Sequence, residues 1–223
     1  MLNLNSDKID FVNKWENSLK DIFKEIDDME LINSKKVLDA FHKFNLNEND
    51  LNGTTGYGYN DIGRDKIESI FSDIFKAEDA LVRREFACAS HALSISLSAL
   101  LRHGNVLLSI TGLPYDTMHE VIGIKGNNSS LISYGVKYEQ IDLVNNDFDY
   151  EKISKSLENV NLVYIQRSRG YSLRDSINIE KIEKVIKVIK DINKEIIIFV
   201  NNCYTEFVEN KFPTEVGADI IVG

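Results

Sequence analysis

Three short segments of the chain carry residues that could do chemistry. In the first, Phe86-Ala-Cys-Ala-Ser-His-Ala-Leu93, small residues stand where a strand is predicted to give way to a helix. Backbone amides at the start of a helix can bind an anion such as a phosphate, and Ser90 can cap that helix. Taken alone, the segment is more often a plain N-cap, and His91 is more often a structural histidine than a ligand.

The second and third segments each follow a predicted strand. In Ser109-Ile-Thr-Gly-Leu-Pro-Tyr-Asp-Thr117, Tyr115 could stack on a flat ligand, although a turn with an amphipathic aromatic side chain is the commoner interpretation. Ile198-Phe-Val-Asn-Asn-Cys-Tyr-Thr-Glu-Phe207 ends a strongly apolar strand. Asn201 would lie at the sheet edge where ligands bind, with Tyr204 nearby, or it could satisfy loop backbone.

Several common functional motifs are absent from the sequence. Gly56-Tyr-Gly58 follows no predicted strand and lacks the G-x-G-x-x-G spacing, there is no Walker loop, and His119-Glu120 lacks the second histidine of H-E-x-x-H. No G-x-S-x-G elbow is present. The two cysteines, Cys88 and Cys203, exclude a disulfide framework and a four-cysteine zinc site.

The composition narrows the function classes further. The 223 residues are 43% hydrophobic and 27% charged, which is ordinary for a globular protein. A net charge of −9 without a basic stripe argues against nucleic-acid binding. No run reaches the roughly 18 apolar residues of a membrane helix, and the first 20 residues are unlike a signal peptide. We therefore expect a soluble, cytoplasmic protein with no membrane contact.

The spacing of apolar residues predicts the order of the elements. Two helices are expected over residues 6–28 and 31–44, and a third, carrying Ile67 to Phe75, after a glycine-rich loop. Strands are then predicted at 80–84, 106–111, 136–141, 162–166, 196–201 and 219–222, with helices at 91–102, 117–124, 149–158 and 178–193. This alternation predicts an α/β domain with a mostly parallel sheet and helices on both faces, preceded by a helical arm over residues 1–52.

Taken in order, these segments resemble those of the fold-type I pyridoxal-phosphate enzymes. More narrowly, they resemble the methionine gamma-lyase-like group of aluminium-resistance proteins, relatives of the cystathionine lyases. The most specific matches are Gly53-Thr-Thr-Gly-Tyr-Gly-Tyr-Asn-Asp-Ile-Gly-Arg64 and Leu108-Ser-Ile-Thr-Gly-Leu-Pro-Tyr-Asp-Thr117. Ile165-Gln-Arg-Ser-Arg-Gly-Tyr171, Asn202-Cys-Tyr204 and Pro213-Thr-Glu-Val-Gly-Ala-Asp219 agree as well. The likeness runs from about Val37 to the last residue.

The resemblance implies a site for pyridoxal 5'-phosphate. It implies that Ala89, Ser90 and His91 would bind the phosphate through backbone amides and the serine hydroxyl. Tyr115 would stack on the pyridine ring, Asn201 would face the ring nitrogen, and Tyr204 would hydrogen-bond the phenolic oxygen. Residues 53–223 would then form an incomplete large, cofactor-binding domain of such an enzyme.

The resemblance also implies an activity and partners. Members are lyases that cleave a carbon–sulfur bond of a small amino acid, such as methionine or cystathionine, by β- or γ-elimination with the cofactor as electron sink. Tyr59, and less directly Arg64, would reach the cofactor phosphate of a neighbouring subunit, which implies a homodimer or homotetramer. Arg167 would contact the carboxylate of the substrate or the cofactor.

The sequence departs from the family pattern in two main ways. Asn201 stands where the family has an aspartate, and a neutral amide cannot stabilise a protonated ring nitrogen by charge. The family's Schiff-base lysine follows the last predicted strand by a few residues, and no lysine of this chain matches it; Lys211 precedes that strand. Smaller departures are Thr205, where glycine is usual, and Ala87-Cys88-Ala89 in place of a serine-glycine turn.

These departures leave two interpretations open beside the active enzyme. In the first, the chain is a fragment of a longer lyase and therefore lacks the lysine and the C-terminal domain. Alternatively, it is a non-catalytic remnant that binds the cofactor weakly or only associates with other subunits. An unrelated doubly wound nucleotide-binding domain is disfavoured because the glycine fingerprint is absent.

Overall fold

The computed structural model describes residues 6–53, 57 and 61–223. The described part begins with two helices, α1 (Ser6–Ser18) and α2 (Lys20–Lys43), followed by the 3-10 turn Glu48–Leu51 and helix α3 (Ile62–Ile74). Tyr59, the predicted contact to a neighbouring subunit, lies outside the described residues.

The break between the first two helices falls at Leu19, so the predicted break near residue 30 is wrong. No glycine or proline interrupts residues 20–43, and the helix therefore continues through them. At Leu19 the amide donates to the carbonyl of Glu16 over 3.1 Å, which tightens the last turn of α1. The second half of α2 packs on α3, where Ala40 meets Ile70, Ile74 and other apolar residues.

The sheet has five strands, all parallel. They are β1 (Val106–Ser109), β2 (Lys137–Gln140), β3 (Leu162–Gln166), β4 (Ile197–Asn201) and β5 (Ile220–Val222), in the spatial order β2-β1-β3-β4-β5. All residues of β1 and β3, and all but the first of β4, are buried. Strands buried on both faces explain the continuous apolar runs in the sequence.

Helices cover both faces of the sheet, as the sequence predicts. Helices α4 (Ala89–Leu100) and α5 (Asp116–Ile122) pack on one face, and α6 (Tyr150–Lys155) and α7 (Ile179–Ile192) on the other. Alternate strand residues serve the two cores: Leu108 and Val163 meet the α6 and α7 side, whereas Leu107 and Leu162 meet the α4 and α5 side.

The predicted first strand at residues 80–84 is absent, and this prediction is wrong. The amide of Val82 donates to Oε1 of Glu68 over 3.0 Å, and the Arg83 guanidinium pairs with the same carboxylate. A backbone amide bonded to a side chain of α3 is not available to a strand ladder. Within the described part of the chain, no helix is long and apolar enough to cross a membrane.

Candidate functional site

The candidate site lies at the carboxyl edge of the sheet, which we define as the ends of β1 to β4 and the loops that follow them. Gln166 and Asn201 end neighbouring strands and stand opposite each other in register. The loop after β1 leads to Tyr115 at the start of α5. Because parallel strands end at one edge, residues more than 80 positions apart converge there.

A hydrogen bond from its backbone holds Tyr115 in place. Its amide donates to Oε1 of Gln166 over 2.6 Å, and the amide of Gln166 donates to Oγ1 of Thr111 over 2.9 Å. Gln166 is buried, so the bond to Tyr115 also satisfies a side chain that has no access to water. The position of Tyr115 therefore depends on the end of β3.

The ring of Tyr115 packs against the ring of Tyr171. The two centroids lie 5.4 Å apart with 34° between the planes. The hydroxyl interaction with Tyr171, followed by desolvation, raises the pKa of Tyr115 to about 12. The Tyr115 hydroxyl therefore stays protonated to higher pH than that of an ordinary tyrosine and can donate a hydrogen bond.

The start of α4 offers backbone amides to an anion. Cys88 caps the helix in extended backbone geometry but makes no side-chain cap bond. The amides of Ala89 and Ser90 have no acceptor within the described residues, whereas the amide of His91 donates to the carbonyl of Cys88 over 3.0 Å. The His91 ring closes the turn, since its Nδ1 accepts from the amide of Ala87 over 3.2 Å.

A hydroxyl pair joins this helix to the Tyr115 segment. The Oγ of Ser90 and Oγ1 of Thr117 lie 2.8 Å apart. Because Thr117 is in the first turn of α5, the bond places the candidate phosphate site beside the candidate ring site. Ser90 and Tyr115 are thus brought to the same region of the edge.

Asn201 is buried, with 4% of its surface exposed. Its Nδ2 donates to the hydroxyl of Tyr164 over 2.9 Å, and its Oδ1 accepts from the amide of Cys203 over 3.2 Å. Burial raises the pKa of Tyr164 well above its ordinary value. The amide of Asn201 keeps a second N–H, which is the one donor it can offer to a ligand.

Tyr204 stands at the opposite extreme of exposure. Its side chain is 87% exposed, and its backbone is in the left-handed region with a φ of 67°. It lines a cleft of about 290 Å³ together with Tyr115 and Tyr171. The structure thus places Tyr115 and Tyr204 on one cleft, and their roles toward a cofactor stay a prediction.

Arg167 does not line this cleft or the larger one beside it. Only 1% of the residue is exposed, and the guanidinium bonds Ile177, Thr205 and Asn202 and pairs with Glu209. Burial lowers the pKa of the guanidinium, which the charge of Glu209 partly offsets. The structure therefore gives Arg167 protein partners, and its predicted contact with a substrate carboxylate stays a prediction.

A larger cleft of about 630 Å³ adjoins the first. It lies at the ends of β1, β2 and β3, and it shares Tyr115, Arg169, Gly170 and Tyr171 with the smaller cleft. The two tyrosine rings are thus a wall common to both. No lysine of the described residues lines either cleft, and Lys211 lies exposed in a loop away from them.

Sequence reasoning missed three residues that position the site. Gln166 anchors Tyr115, Tyr164 orients Asn201, and Thr117 bonds Ser90. A polar residue that ends a buried strand was a usable signal for Gln166, just as it was for Asn201. For Tyr164 and Thr117 the sequence gives no comparable signal, because their partners come from other strands and helices.

The chemical groups of these residues suit the phosphate and ring of pyridoxal phosphate, without a covalent link. Two amides without an acceptor and the Ser90 hydroxyl suit a phosphate. The face of Tyr115 suits a flat ring, and the Asn201 amide suits a ring nitrogen that accepts a hydrogen bond. Within the described residues no group of side chains could hold a metal ion.

Comparison with known proteins gives a consistent set of relatives. A family model described as methionine gamma-lyase matches residues 8–223. The uncharacterized protein YnbB of Bacillus subtilis is 40% identical over 212 residues, which cover 93% of this chain and 50% of YnbB.

Two crystal structures of relatives superimpose closely on the chain. A carbon-sulfur lyase involved in aluminium resistance from Clostridium novyi has a TM-score of 0.92 and 41% identity, over 98% of this chain and 53% of that one. A Listeria innocua protein, named as a candidate cystathionine beta-lyase involved in aluminium resistance, has a TM-score of 0.93 and 43% identity, over 98% and 54%. The chain thus spans about half the length of these relatives.

Proposed function

Because the chain belongs to the methionine gamma-lyase family, as its motifs indicate, we propose that it forms the cofactor-binding part of a carbon–sulfur lyase. The cofactor is pyridoxal 5'-phosphate and the substrates are small sulfur amino acids. One observation carries the proposal: Ser90, Tyr115 and Asn201 converge on one sheet edge, with hydrogen bonds fixing each of them.

Each residue has a defined task in this proposal. The amides of Ala89 and Ser90 and the Ser90 hydroxyl bind the phosphate. The Tyr115 ring covers one face of the pyridine, and the Tyr204 hydroxyl hydrogen-bonds its phenolic oxygen. The His91 ring accepts the hydrogen bond that closes the turn before α4, so His91 contributes mainly by shaping this loop.

When bound, the cofactor supplies an electron sink for the α-carbon of the amino acid. Asn201 limits this sink, because its amide donates a hydrogen bond to the ring nitrogen but cannot hold a proton there by charge. We therefore expect elimination to be slower than in a relative that has aspartate at this position. Equal rates would contradict this part of the proposal.

Asn201 also supports a second candidate function. A chain that binds the cofactor through Ser90 and Tyr115 but contributes little to elimination would be a non-catalytic partner of other subunits. We propose a homodimer or homotetramer in either case, and a cytoplasmic location on composition alone.

In the first experiment the purified chain is titrated with pyridoxal phosphate, and binding is measured by absorbance and by equilibrium dialysis. We expect saturable binding that Ser90→Ala weakens about tenfold, since a hydrogen bond to a charged group is worth about 1.5 kcal/mol or more. Ser98→Ala on the exposed face of α4 is the matched control and should change nothing. Absence of saturable binding would overturn the proposal.

Reduction with borohydride and intact mass then test for a Schiff base. A stoichiometric adduct on one lysine, together with turnover of methionine or cystathionine, would favour the lyase. Saturable binding without adduct or turnover would mean that the chain binds the cofactor without catalysing elimination by itself, as a cofactor-binding part of a lyase or as a non-catalytic partner.

A further inference from the structure

The larger cleft is lined by charged and polar residues that have no role in the proposed cofactor site. It is bounded by the loops after β1, β2 and β3, and its volume of about 630 Å³ is that of a small-molecule site. The cofactor residues Ser90, Asn201 and Tyr204 do not line it, and Tyr115 separates it from the smaller cleft. The cleft therefore has room for a part of a ligand that extends past Tyr115.

Arg174 gives this cleft a fixed positive charge. Its Nη2 donates to the carbonyls of Gln166 over 3.0 Å and Ser168 over 2.5 Å, and its Nη1 donates to the carbonyl of Asp175 over 2.8 Å. Three bonds to rigid backbone orient the guanidinium. Of its five N–H groups, the one on Nε and one on Nη1 have no acceptor among the described residues.

The charge of Arg174 is not neutralised by the protein. No carboxylate in the described part of the chain lies within 4.0 Å of its guanidinium. The side chain is half-buried, and desolvation lowers the pKa of the guanidinium. A half-buried cation with two free donors and no counterion is complementary to an anionic group of a ligand.

Other charges in the cleft indicate which anion it would bind. Arg169 lines both clefts, and its side chain makes no hydrogen bond within the described residues. Asp116 and Asp142 line the larger cleft as well. A lining that carries guanidinium and carboxylate groups together suits a ligand with both a carboxylate and an ammonium group, which is the free end of an amino acid.

We propose that the larger cleft binds the distal amino-acid end of a thioether substrate, with Arg174 donating to the distal carboxylate. The identity of the ligand rests on the proposed function, because the reacting end would lie beyond Tyr115 at the cofactor. The site selects substrates with two amino-acid ends, such as cystathionine, over those with one, such as methionine. Arg174 is thus a specificity residue and takes no part in the chemistry.

The test measures ligand binding to the 223-residue chain without cofactor by saturation-transfer NMR. Omitting the cofactor keeps this result independent of whether pyridoxal phosphate binds, which is measured separately. We expect L-cystathionine to bind, and Arg174→Gln to weaken it about tenfold, the effect of losing a charge-assisted hydrogen bond. L-methionine should be unaffected by the substitution. Arg102→Gln, which removes an exposed arginine elsewhere, is the matched control.

A second variant guards against a loop that is disturbed by losing Arg174. Asn145 lines the cleft in the left-handed backbone region, with a φ of 52°, which aspartate also tolerates. Asn145→Asp should weaken L-cystathionine several-fold by repelling its carboxylate, while Asn127→Asp on the exposed surface should not.

The outcomes are decisive in each direction. Selective loss of L-cystathionine in both variants supports the proposal. An equal loss of L-methionine would mean that Arg174 binds a carboxylate common to both ligands, and the distal site would be wrong. Unchanged binding in both variants, or no binding to the original chain, would also overturn it.

Discussion

The backbone amide of Tyr115 donates to the side chain of Gln166 over 2.6 Å. This bond joins the loop after β1 to the last residue of β3, and it crosses the point at which the two clefts meet. The aromatic wall of the candidate site is therefore positioned by a glutamine that lines the larger cleft only. Its removal should affect stability and ligand binding together.

Gln166→Leu tests this dependence. The substitution leaves the Tyr115 amide without its acceptor, which should cost about 1–2 kcal/mol of unfolding free energy. We also expect weaker binding of pyridoxal phosphate, because the ring of Tyr115 is no longer fixed. Urea unfolding and the cofactor titration measure the two effects. Gln140→Leu, on edge strand β2, is the control, and equal effects of both substitutions would contradict the special role of Gln166.

Gly170 and Gly104 form a matched pair for testing close contact with Tyr115. Both have positive φ, 58° and 88°, but a Cβ at Gly170 would lie 3.2 Å from Cδ2 of Tyr115, whereas nothing lies within 4 Å at Gly104. Replacement by alanine should cost each about 1–2 kcal/mol through backbone strain. We expect only Gly170→Ala to weaken cofactor binding as well, measured by dialysis. A similar loss in Gly104→Ala would mean that strain alone is responsible.

Arg167 and Glu209 form an ion pair in which the arginine is buried and the glutamate is partly exposed. Glu209→Gln should cost about 2 kcal/mol in unfolding free energy, because the arginine keeps its burial and loses its counterion. Glu85→Gln breaks the exposed pair with Arg84 and should change stability little. We expect unchanged cofactor affinity in Glu209→Gln. A large loss of affinity for cofactor or substrate would instead support the predicted contact of Arg167 with a carboxylate.

The pKa of Tyr115 gives a prediction at high pH. Because its folded-state pKa is raised from 10.0 to about 12, the neutral hydroxyl is favoured by folding. The resulting stabilisation is complete below pH 10 and is lost as the pH rises toward 12. Tyr171→Phe should lower the pKa of Tyr115, measured by NMR titration of ring-labelled tyrosine, which resolves Tyr115 among the nine tyrosines. Tyr134→Phe, at an exposed position, is the control, and identical curves for Tyr115 in both variants would contradict the coupling.

Asn201→Asp tests the hydrogen bond to the cofactor. An amide binds an unprotonated ring nitrogen, whereas a carboxylate pairs with a protonated one. We expect the nitrogen-15 resonance of bound, labelled pyridoxal phosphate to indicate an unprotonated ring in the original chain and a protonated ring in the variant at neutral pH. Asn193→Asp near the surface should leave the resonance unchanged. A protonated ring in the original chain would refute the assigned role of Asn201.

The fold was predictable where the burial of an element is visible in its own run of apolar residues. Five strands were found from their apolar runs, because a parallel strand covered on both faces contains almost no polar residue. Residues 80–84 were misassigned since their apolar character is local, whereas their bonds to Glu68 are not. The break between α1 and α2 at Leu19 is likewise set by a single tight turn rather than by a helix-breaking residue.

The site was predictable only at the ends of strands. Ser90, Tyr115 and Asn201 stand at junctions that every parallel sheet uses for ligands, so their positions could be inferred. Their supports could not, because Gln166 and Tyr164 act through side-chain bonds between segments that the sequence keeps far apart.

The pairing of β3 with β4 has a consequence for how the site forms during folding. Tyr164 is paired with Phe199, which lies two residues before Asn201 in β4. The side chains of Tyr164 and Asn201 are therefore on the same face of the sheet and can form their hydrogen bond. A slip of one residue would turn Tyr164 to the face of α7 and leave the amide of Asn201 without its partner. A misregistered sheet would therefore lack this hydrogen bond, so the contact between Tyr164 and Asn201 favours the native strand register.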